Sequence, residues 1–186
     1  MKKYMILGIS ILGMLVGSKT DALAQMDTVT TETMDQEFVN RAISMNRFEI
    51  ALASQAMERS SSAEVKQFAQ KLVTDHSRTM EELEQAAIAK KLVMPDAIEE
   101  NQASILKAVG ELSGDDFNSA FKDVIVKSHE DAIALFTWGG GENGINDPEL
   151  RTWAGEKVPV LKSHLEMAKA LKASPADDVA KALSIL

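Results

Sequence analysis

Three histidines and one glutamate carry the chemistry this sequence has to offer: His76, His129, His164 and Glu49. Each histidine interrupts an apolar helical stripe. His76 stands between Leu72 and Met80, and His164 between Leu161 and Ala168. His129 follows Ile125 by four and precedes Ala132 by three, on the flank of its stripe. Glu49 takes the matching slot between Met45 and Leu52. Spacings of three and four hold one helix face, so all four side chains are expected to turn inward from four different helices. A buried ionised carboxylate is costly unless paired, so Glu49 requires a cation, a metal or a histidinium. Imidazole plus carboxylate is a donor set for zinc, iron, copper or manganese. The plainer alternative is three separate core histidines, each satisfied by hydrogen bonds.

The spacing also bears on whether the four can meet. At a rise of about 1.5 Å per residue, His76 and His129 are level if their helices run parallel, with Glu49 roughly one turn away. His164 falls about 10 Å from the level of His129. A shared site is therefore expected for two or three of the group, and the spacing does not place all four in one ligand shell. The ferritin-type di-iron signature, Glu-x-x-His on two helices, is absent: Val73, Val126 and Leu161 stand three residues before the histidines. No serine is placed by the sequence beside a histidine as a nucleophile, and the chain is not expected to be an enzyme.

The elements that must position these residues are helical. Phe38, Ala42, Met45, Leu52 and Ala56 predict a long helix from Asp35. Ser61 and Glu64 form the pattern of a capping box opening a second helix, which runs toward Pro95. A short helix is expected over 96–112. Phe117, Phe121, Val124, Ala132 and Leu135 mark a further long helix that stops at Gly139-Gly140-Gly141. Asp147-Pro148 restarts the chain as N-cap and first turn, and Leu150, Trp153, Leu161, Leu165 and Leu171 continue the stripe. Trp138 and Trp153 flank the glycine loop and are expected to pack together. Pro159 should kink the last helix, with Gly155 four residues earlier easing it. The methionines are too scattered for a soft-metal site and read as core filler and surface. Four long amphipathic helices hide their stripes only against each other. The expected fold is all-α, a ferritin-like four-helix bundle with a short connecting helix between long helices 2 and 3.

At 186 residues the chain has room for one domain. Residues 1–24 read as a cleavable signal peptide. Lys2 and Lys3 form the basic start, an apolar run of about 13 residues follows, and Ala22-Leu23-Ala24 is the cleavage pattern, leaving Gln25 first. That run is shorter than the roughly 20 residues of a membrane span. Residues 25–34 read as a flexible arm, 35–173 as the helical domain and 174–186 as a short tail. The expected location is periplasmic or secreted. Loss of the leader, with Lys2, Lys3, Lys19 and Asp21, takes the net charge from −8 to about −10. That balance argues against a nucleic-acid partner and no membrane span remains; a homo-oligomer is compatible with it, and the partner is not indicated. The absence of cysteine excludes disulfides, thiolate ligands and a lipoprotein anchor.

Several segments together resemble a known family. They are Glu64-Val65-Lys66-Gln67-Phe68-Ala69-Gln70, Thr74-Asp75-His76, Leu112-Ser113-Gly114 with Phe117, His129 with Leu135-Phe136, Asp147-Pro148-Glu149-Leu150, and Pro159 followed by Leu161, His164 and Leu165. The pattern resembles domain of unknown function 4142, an exported bacterial family of ferritin-like bundles, over roughly 38–171. The resemblance implies an exported helical bundle and no established reaction. The chain departs from the family pattern at Met45-Asn46, where a glycine pair is usual, at Ser128, where an acid is common, and at Asn118 to Phe121, where Asp-x-x-Tyr is common. The functional expectation is a non-catalytic binding or stress-related accessory protein of the periplasm. The alternative is a metal-binding bundle using Glu49, His76, His129 and His164.

Overall fold

The structure is a computed structural model that describes the backbone of residues 19–172 and the side chains from Met34 onward. Residues 1–18, most of the expected leader, and 173–186, which include the expected tail, lie outside the described residues. The described chain is all-helical, with α1 (Lys19–Arg59), α2 (Ala63–Ala89), α3 (Glu100–Gly110), α4 (Gly114–Gly139) and α5 (Pro148–Ala170), and no strand among the described residues. None of these helices is long and apolar enough to cross a membrane.

Local chemistry places the helix ends, and several differ from the expected ones. α1 runs through 25–34, the stretch set apart above as an arm; no proline or glycine lies between Lys19 and Arg59 to stop it. α2 is capped by Ser62, whose hydroxyl accepts from the Val65 amide, so the cap lies one residue later than expected and the Ser61–Glu64 box does not form. The same helix ends at Ala89, ahead of Pro95, because Lys91 adopts the left-handed conformation (φ 58°). α3 begins at Glu100, later than expected, since Glu99 and Gln102 form a reciprocal capping box there. α5 starts as expected: Asp147 accepts from the amides of Glu149 (3.1 Å) and Leu150 (2.8 Å), with Pro148 in the first turn.

Between α2 and α4 the chain crosses the length of α1. Gln36 holds both backbone groups of Val93, Ser44 accepts from the Glu99 amide, Gln55 donates to Leu106 and Arg59 to Leu112. Partners therefore advance along α1 together with the strap, which returns the chain to the end where α2 began. α2 and α4 consequently run in the same direction.

The apolar interior falls into two clusters. One joins Leu52 and Ala56 of α1, Phe68 and Leu72 of α2, Phe117 and Phe121 of α4, and Ala168 of α5. The other joins Phe38 and Ile43 of α1, Met80 and Leu83 of α2, Leu135 and Phe136 of α4, and Leu150 and Leu161 of α5. Between them lies a polar layer containing Asn46, Glu49, His76, Ser128, His129 and His164, all buried. Trp153 belongs to the second cluster's rim. It packs on Phe38 (6.5 Å) and Phe136 (5.8 Å), and its indole N–H donates to Glu82 on α2. That inward pull separates it from Trp138, which is 38% exposed, so the expected tryptophan pair does not form.

The α4–α5 loop depends on its glycines. A Cβ on Gly140 would lie 2.8 Å from the Gly155 Cα, so Gly155 serves a close backbone approach, not only the Pro159 kink. A Cβ on Gly144 would lie 2.0 Å from the Trp138 carbonyl oxygen and 2.8 Å from that of Gly139. Backbone atoms cannot step aside as a flexible side chain can. Gly144→Ala is expected to destabilise the fold by about 3 kcal/mol, lowering Tm by roughly 10 °C. Gly141→Ala, whose Cβ would sit 3.3 Å from the nearest carbonyl, is the milder control. Equal melting temperatures for the two variants would contradict the loop geometry.

Candidate metal centre

The three histidines come together from α2, α4 and α5. Ring centroids of His76, His129 and His164 are 5.5 Å apart in every pairing. One nitrogen from each ring lies within 4.8 Å of the other two. The axial offset expected for His164 is absent. The loop 140–147 lets α5 begin beyond the end of α4, by a length equal to about six residues of helix, or 9 Å. Asp35 fixes that start by accepting from the amides of Asn146 (2.7 Å) and Asp147 (3.2 Å).

Each ring has one nitrogen turned outward to an acceptor. His76 Nδ1 lies 2.9 Å from Asn46 Oδ1, and the Asn46 amide nitrogen donates to Ala42, which fixes the oxygen toward the ring. His129 Nδ1 donates to the Ile125 carbonyl at 3.0 Å. His164 Nε2 donates to Asp75 Oδ2 at 2.9 Å. The ring proton therefore resides on the outward nitrogen in His129 and His164. The inward nitrogens, His76 Nε2, His129 Nε2 and His164 Nδ1, are buried and have no hydrogen-bond partner. An orphaned buried polar atom costs about 1–3 kcal/mol, and three converge on one point. Outward nitrogens held by acceptors and inward lone pairs facing each other are the arrangement of metal-ligating imidazoles.

Glu49 borders the trio. It is 1% exposed, with Oε2 3.0 Å from His76 Nε2 and Oε1 3.3 Å from His129 Nδ1. His76 thus has an acceptor near each of its ring nitrogens, Asn46 Oδ1 and Glu49 Oε2. Ser128 Oγ donates to Oε1 at 2.5 Å. Burial pushes the Glu49 carboxyl up, but the His129 and His76 rings and the Ser128 hydroxyl bring it down to about 2, so it is an anion at neutral pH. Burial pushes His129 below the ordinary imidazole range, against the pull of Glu49. Burial, reinforced by His76 and His129 and opposed by Asp75, lowers His164 to about 4. Burial works against ionisation of Asp75, and Lys71 and His164 together overcome it and hold the carboxyl below its usual value. At neutral pH the centre thus sets an anion beside at least two uncharged rings, the state in which imidazole binds metal.

A cavity of about 450 Å³ opens between α2 and α5 and reaches Glu49, His76 and His164. Its walls include Met45, Phe136 and Leu161, and Pro159 and Val160 stand at its α5 side. His129, fully buried, lies behind the trio and outside this lining.

The family model described as domain of unknown function (DUF4142) matches residues 20–171. The chain belongs to this family. No curated protein and no solved structure matches it. Within this DUF4142 chain, two of the departures noted in the sequence fall in the centre itself: Asn46 holds the His76 ring and Ser128 holds Glu49. Neither was named as a site residue from the sequence, although Ser128 precedes a histidine and Asn46 stands three residues before Glu49, within reach of the same turn. Asp75, next to His76 on α2, holds the outward nitrogen of His164 in the DUF4142 chain.

Proposed function

We propose that this chain is an exported binding protein that holds one divalent transition-metal ion through His76 Nε2, His129 Nε2 and His164 Nδ1, with Glu49 beside it as the neutralising carboxylate. The observation that carries the reading is the convergence of three buried ring nitrogens within 4.8 Å of one another, with the Glu49 carboxylate against one of them. Three imidazoles favour zinc, copper or iron over manganese. Parallel α2 and α4 joined by a long strap support the reading of the fold as a ferritin-like four-helix bundle, which builds such sites from facing helices. The lone trio lacks the paired Glu-x-x-His ligands of di-iron oxidation, so the role is binding, as carrier, store or sensor, in an accessory capacity. The basic start, short apolar run and Ala22-Leu23-Ala24 support export, with Gln25 first in the mature chain.

The test is metal analysis of the protein purified from the periplasmic fraction, with its first residue read. About one equivalent of metal per chain is expected, or uptake of one equivalent of zinc or copper(II) after chelation. No stoichiometric metal and a melting curve unmoved by zinc, copper or iron would overturn the proposal. Asp75→Asn keeps the shape at a position outside the trio but removes the charge that orients His164. It is expected to weaken zinc binding roughly 10- to 100-fold with an unchanged helical spectrum, as read by competition with a coloured chelator.

A further inference from the structure

Resting on that metal reading, we infer that the ion keeps an open position toward the α2–α5 cavity, and that this position takes a small organic carboxylate. The trio supplies three protein donors, which in four-coordinate sites leaves one position for an outside ligand. The cavity lies on one side only. His76 and His164 line it, whereas His129 closes the opposite side from within the core. The outside ligand therefore enters from the cavity.

The charge balance selects an anion. A divalent ion on three uncharged imidazoles retains both charges, and Glu49 offsets one of them. Glu49 Oε1 is held by Ser128 and Oε2 lies 3.0 Å from His76 Nε2, but Glu49 stands outside the set whose ligand atoms all lie within 4.8 Å of one another. The other acids at the cavity are engaged with cations: Asp75 with Lys71 and Arg78, and Glu82 with Lys157. The remaining positive charge is directed at the cavity. Beyond the polar end, Met45, Ala132, Phe136 and Leu161 supply apolar wall. The volume falls within the ~300–1,000 Å³ of small-molecule sites, which combine apolar walls with a few polar groups. A carboxylate on an apolar body matches both ends: the charge meets the ion and the body meets the wall.

Cobalt(II) replaces the native ion as a coloured probe, and its visible bands report only changes at the metal. The full-length mature protein is loaded with one equivalent of cobalt, then titrated separately with azide, acetate and benzoate. Band shifts with all three are expected, with benzoate binding at least about tenfold more tightly than acetate through its buried ring. Val160→Trp narrows the cavity from a 45% exposed position one helical turn before His164, without replacing any of the three ligands. It should leave cobalt stoichiometry and azide binding intact and weaken benzoate about tenfold. Cobalt uptake with no shift from any anion would overturn the open position and leave the metal reading standing. Shifts with azide alone, or equal affinity for acetate and benzoate, would overturn the carboxylate class. Failure to take up cobalt would overturn both readings together.

Discussion

His129→Leu is expected to abolish stoichiometric zinc or copper(II) binding while leaving the metal-free protein within about 1 kcal/mol of wild-type stability. The two halves of that result distinguish a ligand from a structural core histidine. His129 is fully buried in the polar layer, and its Nε2 faces His76 and His164 without a hydrogen bond. Leucine has a comparable branched shape and removes an orphaned nitrogen, so the packing cost and the relieved polar cost offset each other. Metal binding has no such compensation. Losing one of three ligands should exceed the roughly 10- to 100-fold loss typical of removing a supporting group. Isothermal titration and thermal melts at matched metal concentrations read both halves. Free zinc at a thousandfold excess over Kd adds about 4 kcal/mol to a protein that binds it only when folded. That increment should appear in the wild type and vanish in the variant. A variant that binds one equivalent with wild-type affinity would remove His129 from the centre.

Acid should destabilise the metal-free protein well before ordinary carboxylates titrate. His164 has its folded pKa lowered from 6.5 to about 4. Between those values the unfolded chain binds a proton that the folded chain refuses, so stability falls as pH drops through 6.5 and levels off near 4. A shift of that size corresponds to about 3 kcal/mol. Glu49 extends the decline: its folded pKa near 2 lies below the ordinary 4.5, so its contribution is present above 4.5 and lost toward 2. Urea unfolding of chelator-treated protein at pH 7, 5.5 and 4 measures the slope. His164→Gln should flatten the upper part of the profile and leave the lower part. A wild-type profile that is level between pH 6.5 and 4.5 would contradict the burial of an uncharged ring.

Much of this centre was legible because helical spacing is a strong signal. Leu72–His76–Met80 and Leu161–His164–Ala168 each put a histidine inward whatever the tertiary arrangement. Glu49 was legible for the same reason. The axial level of His164 was not, because it depends on how far the loop 140–147 carries the chain past α4, and a glycine-rich loop leaves that length free. Asn46 and Ser128 were visible only as departures from a pattern, since their roles arise from contacts across helices. The capping serine of α2 was missed by one residue because Ser60, Ser61 and Ser62 offer nearly equivalent caps. The tryptophans were paired from loop proximity, whereas Glu82, some seventy residues earlier in the chain, drew Trp153 away.

The division of the interior into two apolar clusters has a consequence for how the molecule opens. Each cluster draws on all four long helices, and the polar layer between them contributes little burial energy of its own. The halves are expected to open as separate cooperative units, linked by continuous helices that cross the layer. Backbone amides on either side are free to exchange with solvent deuterium at different rates when the layer holds no ion. An ion bound to α2, α4 and α5 at once fastens the helices where the hydrophobic interior is interrupted. Its arrival should merge the two exchange classes into one, so that an ion bound as proposed would also rivet the fold.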